Sequence, residues 1–392
     1  MKKILCMLLV LSMVLVVFSA CGNDPEKNAT IYEKAQEMTW DEIFELAKAE
    51  TGDFNAYGNT SRIKDAMTAF VAKYGQELGL SESNAVGTKM SDSEIYTTIE
   101  SENQSANNSK GASMVMIQDG ATLLTYVKGT DYFANYVPKA YASKLDKSAL
   151  TPLVQQYINK LFIWNNVGEA PAAITNVWQL TEASMSGKVF FKSPKNEQVN
   201  MNFLIMLTSD AWAQKLAAAY ESYYGKAIEL GSYKNAGYKW VAEFLANANF
   251  SINSDTTIAG DLSKEENAGK AGLFVLSKLR DSSVVADNLT VGAFAETAIE
   301  PFSGFMYPMY CQITQNGPRP YTAMLFIEYL MTQEGFKPWG KSIGAYSSNP
   351  DLTVLDGDRQ LSFWMEKLVF EDPEYIRDNK AEITDFVNKI IG

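Results

Sequence analysis

Between residues 54 and 129 the chain twice passes from a short apolar stretch through a polar turn into a helix-periodic stretch, and this order constrains the fold more than any other feature. "FNAYGN" reads as a strand. "RIKDAMTAFVAKY" then places Ile63, Ala66, Met67, Phe70 and Val71 on one helical face, with Gly75 as the expected C-cap. Ser91 and Glu94 have capping-box spacing ahead of the helix "SEIYTTIESEN". "SMVMI" reads as a buried strand and "QDG" as a turn into the helix "ATLLTYV". Strands alternating with helices predict an open α/β sheet, and such sheets bind ligands beyond the carboxyl ends of their strands. Loops 58–62 and 118–120 are the first candidates.

The amino terminus reads as a leader rather than as part of this sheet. Ile4 to Asn23 is an uncharged run of 20 residues, long enough to span a bilayer. Lys2 and Lys3 before it and the small pair Ser19-Ala20 near its end favour a cleaved signal, residues 1–20. Phe18-Ser19-Ala20-Cys21 resembles a bacterial lipobox, which predicts cleavage before Cys21 and lipid attachment at its sulfur. Residues 21–38 are then a tether. A second capping box, Thr39 with Glu42, opens a helix over "WDEIFELAKAE" that stops at Gly52.

Composition removes whole classes of chemistry. The chain has 46% hydrophobic and 20% charged residues, as expected of a globular protein, and its mature length of about 370 residues suits two domains. With 46 acidic against 34 basic side chains, the net charge of −12 opposes nucleic acid and anionic headgroups, so an anionic ligand needs a local positive site. There is no histidine, which excludes Ser-His-Asp and Cys-His catalysis and His-ligated zinc. Of Cys6, Cys21 and Cys311, the first leaves with the signal and the second is acylated. Cys311 then stands alone in "MYPMYCQIT", where it reads as a buried, inert thiol. No cofactor or resident metal is expected.

Further along, "TPLVQQYINK" reads as a helix and "LFIWNN" as a strand. "KVFF" reads as a strand, and "NMNFLIMLTSDAWAQKLAAAYESYY", "AGYKWVAEFLANA" and "AGKAGLFVLSKLR" as helices. After "LTVGAF" and "SGFMYPMYCQIT", Pro320 fits the first position of the helix "RPYTAMLFIEYL". Two helical tail segments split near Asp372-Pro373.

The order of these blocks resembles the extracellular solute-binding proteins of ABC importers, of the type-II two-lobed kind that includes ferric-iron, polyamine, thiamine and phosphonate binders. The residues that carry the resemblance are the lipobox, "FNAYGNTSRIKDAMTAFVAKYG", "MVMIQDGA", "LFIWNN", "TNVWQLTE" with "GKVFFKSP", and "PRPYTAMLFIEYLMTQEGFKPWG". Together they span most of the mature chain. The resemblance implies two α/β lobes joined by crossing strands, with 39–165 beginning the first lobe, 166–298 forming the second, and 299–392 returning to the first and ending in helices. It also implies capture of a small polar solute, anionic or oxygen-rich, in the cleft between the lobes, and delivery by a lipid-anchored monomer on the outer face of the membrane to permease subunits. No bond is made or broken.

Candidate ligand residues follow from the strand-end rule and from that layout. Tyr57, Asn59, Thr60, Ser61 and Arg62 combine a helix N-terminus, hydroxyls and a guanidinium, although Thr60 or Ser61 alone also serves as a helix cap. Asp119 and Gly120 follow the next strand, where Asp119 either faces the cleft or caps the next helix. Trp164, Asn165 and Asn166 lie on the expected interlobe strand, and Thr175, Asn176 and Trp178 begin the second lobe's contribution; both tryptophans are equally suited to a core. Glu296, after "LTVGAF", faces either the cleft or solvent. Tyr307 and Tyr310 either face the cleft or belong to a returning strand.

Three other readings compete. Iron(III) is an alternative cargo, but the adjacent phenols Tyr223-Tyr224 fall on an amphipathic helix rather than in a strand-end loop. Ser61 and Lys64 form Ser-x-x-Lys, as in penicillin-binding enzymes, yet the accompanying Ser-Asp-Asn is absent. A surface adhesin that does not transport also fits, because a fold does not fix a function.

Overall fold

The fold is seen in a computed structural model that describes residues 31–105, 108–129, 132–168, 173–294 and 296–392. The expected signal 1–20, the lipid site Cys21 and the first part of the tether lie outside the described residues. Packed structure begins within the expected tether: Tyr32 and Ala35 are buried, and the Tyr32 hydroxyl donates to Thr314 O at 3.3 Å.

The strands in chain order are β1 (Phe54–Gly58), β2 (Ala85–Lys89), β3 (Ala112–Ile117), β4 (Phe133–Ala134), β5 (Val154–Asn165), β6 (Val189–Phe190), β7 (Ala248–Asn249), β8 (Ala271–Val275), β9 (Leu289–Val291), β10 (Gly304–Thr314), β11 (Ala345–Ser347) and β12 (Val369–Phe370). The main path through the sheet is β2-β1-β3-β10-β5-β8-β6-β7. Three strands are parallel at each end, β2-β1-β3 and β8-β6-β7. Between them β10 and β5 run antiparallel to each other, β10 against β3 and β5 against β8.

That topology makes two lobes. Tyr310 lies beside Ile117 at the carboxyl end of β3, whereas Gly304 to Met309 continue past the first lobe alongside Leu161 to Gln156 of β5. Beyond, Lys160 pairs with Val275 at the carboxyl end of β8. The parallel strands of the two lobes therefore point their carboxyl ends at each other, and the middles of β5 and β10 bridge the gap. The C-terminal helix Pro373–Ile391 packs on Gly120–Gly129 of the first lobe and on Gln198–Leu207 and Ala236–Asn247 of the second.

Local sequence accounts for most elements. Both expected capping boxes form, at Thr39/Glu42 ahead of Trp40–Ala47 and at Ser91/Glu94 ahead of Asp92–Asn103. The helix after β1 is longer than expected, Arg62–Leu78; its left-handed cap is Gly79 at φ +64°, not Gly75. Gly75 is needed for closeness instead, since a Cβ there would stand 2.7 Å from Leu80 O.

Two expected helices are strands. "VQQYINK" joins "LFIWN" in the single strand β5, buried along its whole length. Its polar residues imitate a helical period but are buried with partners: Gln155 Nε2 donates to Leu330 O at 3.1 Å and Asn159 Nδ2 to the Tyr346 hydroxyl at 3.2 Å. "AGLFV" is strand β8, followed by a short 3-10 helix over Leu276–Arg280. A fully buried strand lacks alternation and is easily read as helix. No helix among the described residues is long and apolar enough to cross a membrane.

Candidate functional site

The facing strand ends enclose a cleft of ≈ 970 Å³. The first lobe lines it with the loops after β1, β2 and β3, among them Asn59, Asp92 and Asp119; the second lobe supplies Lys195 to Val199, at the start of the helix Gln198–Leu207.

On the first lobe Asp92 ties the three loops together. It opens the helix after β2, and its carboxylate accepts from Asn59 Nδ2 (3.2 Å), Gln118 N (3.0 Å) and Asp119 N (2.8 Å). Burial pushes its carboxyl up to about 7, the charge of Asp119 adding to the effect while the accepted hydrogen bonds oppose it. Asp119 is buried and caps the next helix, accepting from Thr122 N at 3.1 Å and Thr122 Oγ1 at 2.6 Å, with Lys380 Nζ at 3.4 Å. Gly120 is required by close packing, because a Cβ would fall 2.5 Å from the Tyr310 ring.

On the second lobe, charged side chains follow each parallel strand. Lys192 and Glu197 come after β6, Asp255 after β7, and Lys278 and Arg280 after β8. Fully buried Lys160, from the middle of β5, donates to Asn200 Oδ1 at 2.9 Å and lies 3.4 Å from Glu197 and 3.8 Å from Asp255. Lys192 pairs with the same two carboxylates. Burial alone would raise the Glu197 carboxyl, but Lys160 and Lys192 hold it below the usual range. Tyr307, on β10, is buried between the lobes; burial raises its phenol well above the ordinary value, and Asp255, Glu197, Glu371 and Asp92 reinforce the shift.

Arg62 opens the helix after β1 and donates from Nη2 to Ser342 Oγ at 3.1 Å. Burial lowers its guanidinium to about 10, and the like charge of Arg280, across in the other lobe, acts in the same direction. Of the expected residues, Asn59 and Asp119 line the cleft, whereas Arg62, Gly120 and Tyr307 are not among its lining residues. Thr60 Oγ1 accepts from Arg62 N at 3.4 Å, and Ser61 is exposed at the helix start without a side-chain cap bond.

The remaining expected residues are engaged elsewhere. The Tyr57 hydroxyl donates to Glu102 Oε1 at 2.7 Å, fastening β1 to the helix Asp92–Asn103. Trp164, Asn165 and Asn166 lie at the end of β5 remote from the cleft, because β5 runs antiparallel to β8 and Trp164 pairs with Ala271 at the start of that strand. Trp164 is in the core; Asn165 Nδ2 donates to Leu262 O (2.7 Å) and Lys264 O (2.8 Å), and Asn166 Nδ2 to Thr290 Oγ1 (2.9 Å). Thr175 is exposed and its N–H donates to Gln179 Oε1 at 2.7 Å. Asn176 Nδ2 donates to Ala219 O at 3.0 Å and Trp178 Nε1 to Leu216 O at 2.9 Å, both inside the second lobe. Glu296 is exposed on the turn after β9. Tyr223 and Tyr224 are exposed on the helix Asp210–Tyr224, their hydroxyls 3.3 Å from Glu182 Oε1 and apart from the cleft lining. Cys311 is buried, which pushes its thiol well up.

Asp92, Lys160, Lys278 and Arg280 were not among the expected site residues. The rule that found Asn59 also reaches three of them: each follows the carboxyl end of a parallel strand, except Lys160, which lies on a bridging strand.

No protein-family model and no curated protein matches the sequence. Solved structures do match at the level of fold. A ferric binding protein from Campylobacter jejuni aligns over 86% of this chain and 99% of its own, with a TM-score of 0.62 and 12% identity. Iron-bound HitA from Pseudomonas aeruginosa aligns over 87% of this chain and 99% of its own (TM-score 0.59, 12% identity). An ABC transporter structure from Clostridium perfringens aligns over 87% and 100% (TM-score 0.58, 12% identity). The chain therefore has the two-lobed fold of the type-II periplasmic binding proteins.

Proposed function

We propose that the protein captures a small polar solute, anionic or oxygen-rich, between its lobes and presents it to the permease of an ABC importer. The observation that carries this reading is the cleft into which both sets of parallel strands point, bridged by β5 and β10 and spanned by the C-terminal helix Pro373–Ile391, which packs on both lobes. Two lobes on such a bridge can close by hinge motion around a ligand, and the closed form is what a permease would recognise. Residues 39–165 with 299–392 would form one lobe and 166–298 the other. The leader and Cys21 would hold the protein as a lipoprotein on the outer face of the membrane. Several acyl chains are expected at Cys21, because one alone binds a bilayer weakly.

A thermal-shift panel of oxyanions, sugars, polyamines and iron(III) tests the reading. A solute at about 100 times its dissociation constant should add roughly 2.7 kcal/mol of stability. A shift with iron(III) alone would move the cargo to a metal. No shift with any solute, together with covalent labelling of Ser61 by a penicillin, would replace transport by acyl transfer.

A further inference from the structure

Three cations from the two lobes, Arg62, Lys278 and Arg280, are close enough to repel one another, and none is ion-paired with a carboxylate. Arg62 comes from the first lobe; Lys278 and Arg280 come from the second, on the 3-10 helix Leu276–Arg280. The loop that holds Arg62 through Ser342 continues to Gly344, where a Cβ would stand 3.1 Å from Leu276 Cβ and 3.2 Å from Ser277 N. The two carriers of positive charge thus abut.

Among the described residues, no carboxylate oxygen lies within 4.0 Å of any of the three charged groups. The nearest candidates are engaged: Asp65 with Lys341 at 3.2 Å, Asp255 with Lys160 and Lys192 at 3.8 and 3.9 Å, and Asp281 with Ser283 N and Oγ at 3.1 and 2.8 Å. Burial lowers the Lys278 ammonium, and Arg62 and Arg280 add to this against the pull of Asp255 and Asp281. Arg62 and Lys278 are half-buried and Arg280 is exposed, so a basic group open to solvent on one side stands against the overall balance of 46 acids and 34 bases.

We infer that the trio is an anion clamp: a small oxyanion with two or more negative charges, of the phosphate or polycarboxylate class, binds between Arg62 on one lobe and Lys278 and Arg280 on the other. The inference deepens the solute-binding reading and rests on it. With no anion between them the like charges resist approach of the lobes. A multivalent anion turns that repulsion into attraction on both sides, which gives the ligand the differential affinity for the closed form that a population shift requires. Guanidinium groups also present paired N–H donors to such oxygens.

The test is calorimetric titration of the full chain with inorganic phosphate, pyrophosphate, citrate and, as a neutral control, glucose, together with the radius of gyration by X-ray scattering. At least one anion should bind and compact the protein. Pyrophosphate against citrate separates phosphoryl from carboxylate ligands. Arg62→Gln and the double variant Lys278→Gln/Arg280→Gln should each weaken that binding at least tenfold with unchanged circular dichroism. Anion binding that survives the double variant would overturn the two-lobe clamp while leaving solute capture intact. Compaction by glucose and by none of the anions would do the same. Silence with all four probes also overturns the clamp, and the wider solute panel then decides separately whether the cleft binds anything.

Discussion

Asp92 and Arg62 occupy the same position in neighbouring units, the first residue of a helix that follows a parallel strand, and the structure treats them in opposite ways. A carboxylate is favoured at a helix N-terminus and a cation is not. Asp92 accepts three hydrogen bonds there and joins three loops, while Arg62 has no ion-paired carboxylate and donates to one hydroxyl. A satisfied polar group at a strand end holds the frame of a site. An unsatisfied one beside it marks where the missing partner belongs.

The largest effect that would break this contrast is Asp92→Ala. Removing the acceptor of two backbone N–H groups and Asn59 should cost about 3 kcal/mol in urea unfolding, since donors left unpaired lose more than a net hydrogen bond. The pH dependence sharpens it. Asp92 has an ordinary value of 3.8 and is held near 7 when folded, so between these the folded chain keeps a proton that the unfolded chain has released. Its contribution to stability is complete below about pH 4 and is lost as the pH climbs through 7. Unfolding midpoints should therefore rise from pH 7 to pH 5. Asp92→Asn should flatten that slope in part, leaving the contributions of Glu50 and Glu328, which burial also pushes up to about 7.

The smallest effect is expected at Arg62. Arg62→Gln removes a half-buried, unpaired cation and its repulsion with Arg280, so stability should change by less than about 1 kcal/mol, toward greater stability if at all. A loss above about 2 kcal/mol would make Arg62 part of the frame and end the comparison.

Local signals made the first lobe legible in the sequence. Capping boxes, a helical face and two strand-end turns are contained within a few residues, and Asn59, Arg62 and Asp119 followed from them. The second lobe was harder because its decisive strands are buried on both faces. Reading "AGLFVLSKLR" as a helix hid the strand end, and with it Lys278 and Arg280. Reading "VQQYINK" as a helix hid the buried amides and Lys160 of the bridge. Trp164 and Asn165 are expected at the cleft because "LFIWNN" reads as an interlobe strand; β5 does bridge the lobes, but through its middle, and Trp164 pairs with Ala271 at the far end of β8. Burial and strand direction are long-range properties, and neither has a local signature.

The place of β10 has a consequence for how the chain is made. β10 fills the position between β3 and β5, yet it leaves the ribosome roughly 190 residues after β3, so those pairings form only once loop closure over that distance has occurred. Until then β3, apolar from Met114 to Ile117 and buried along its whole length in the finished fold, presents an open edge to other chains. Nascent chains ending before Gly304 should thus need a holding chaperone.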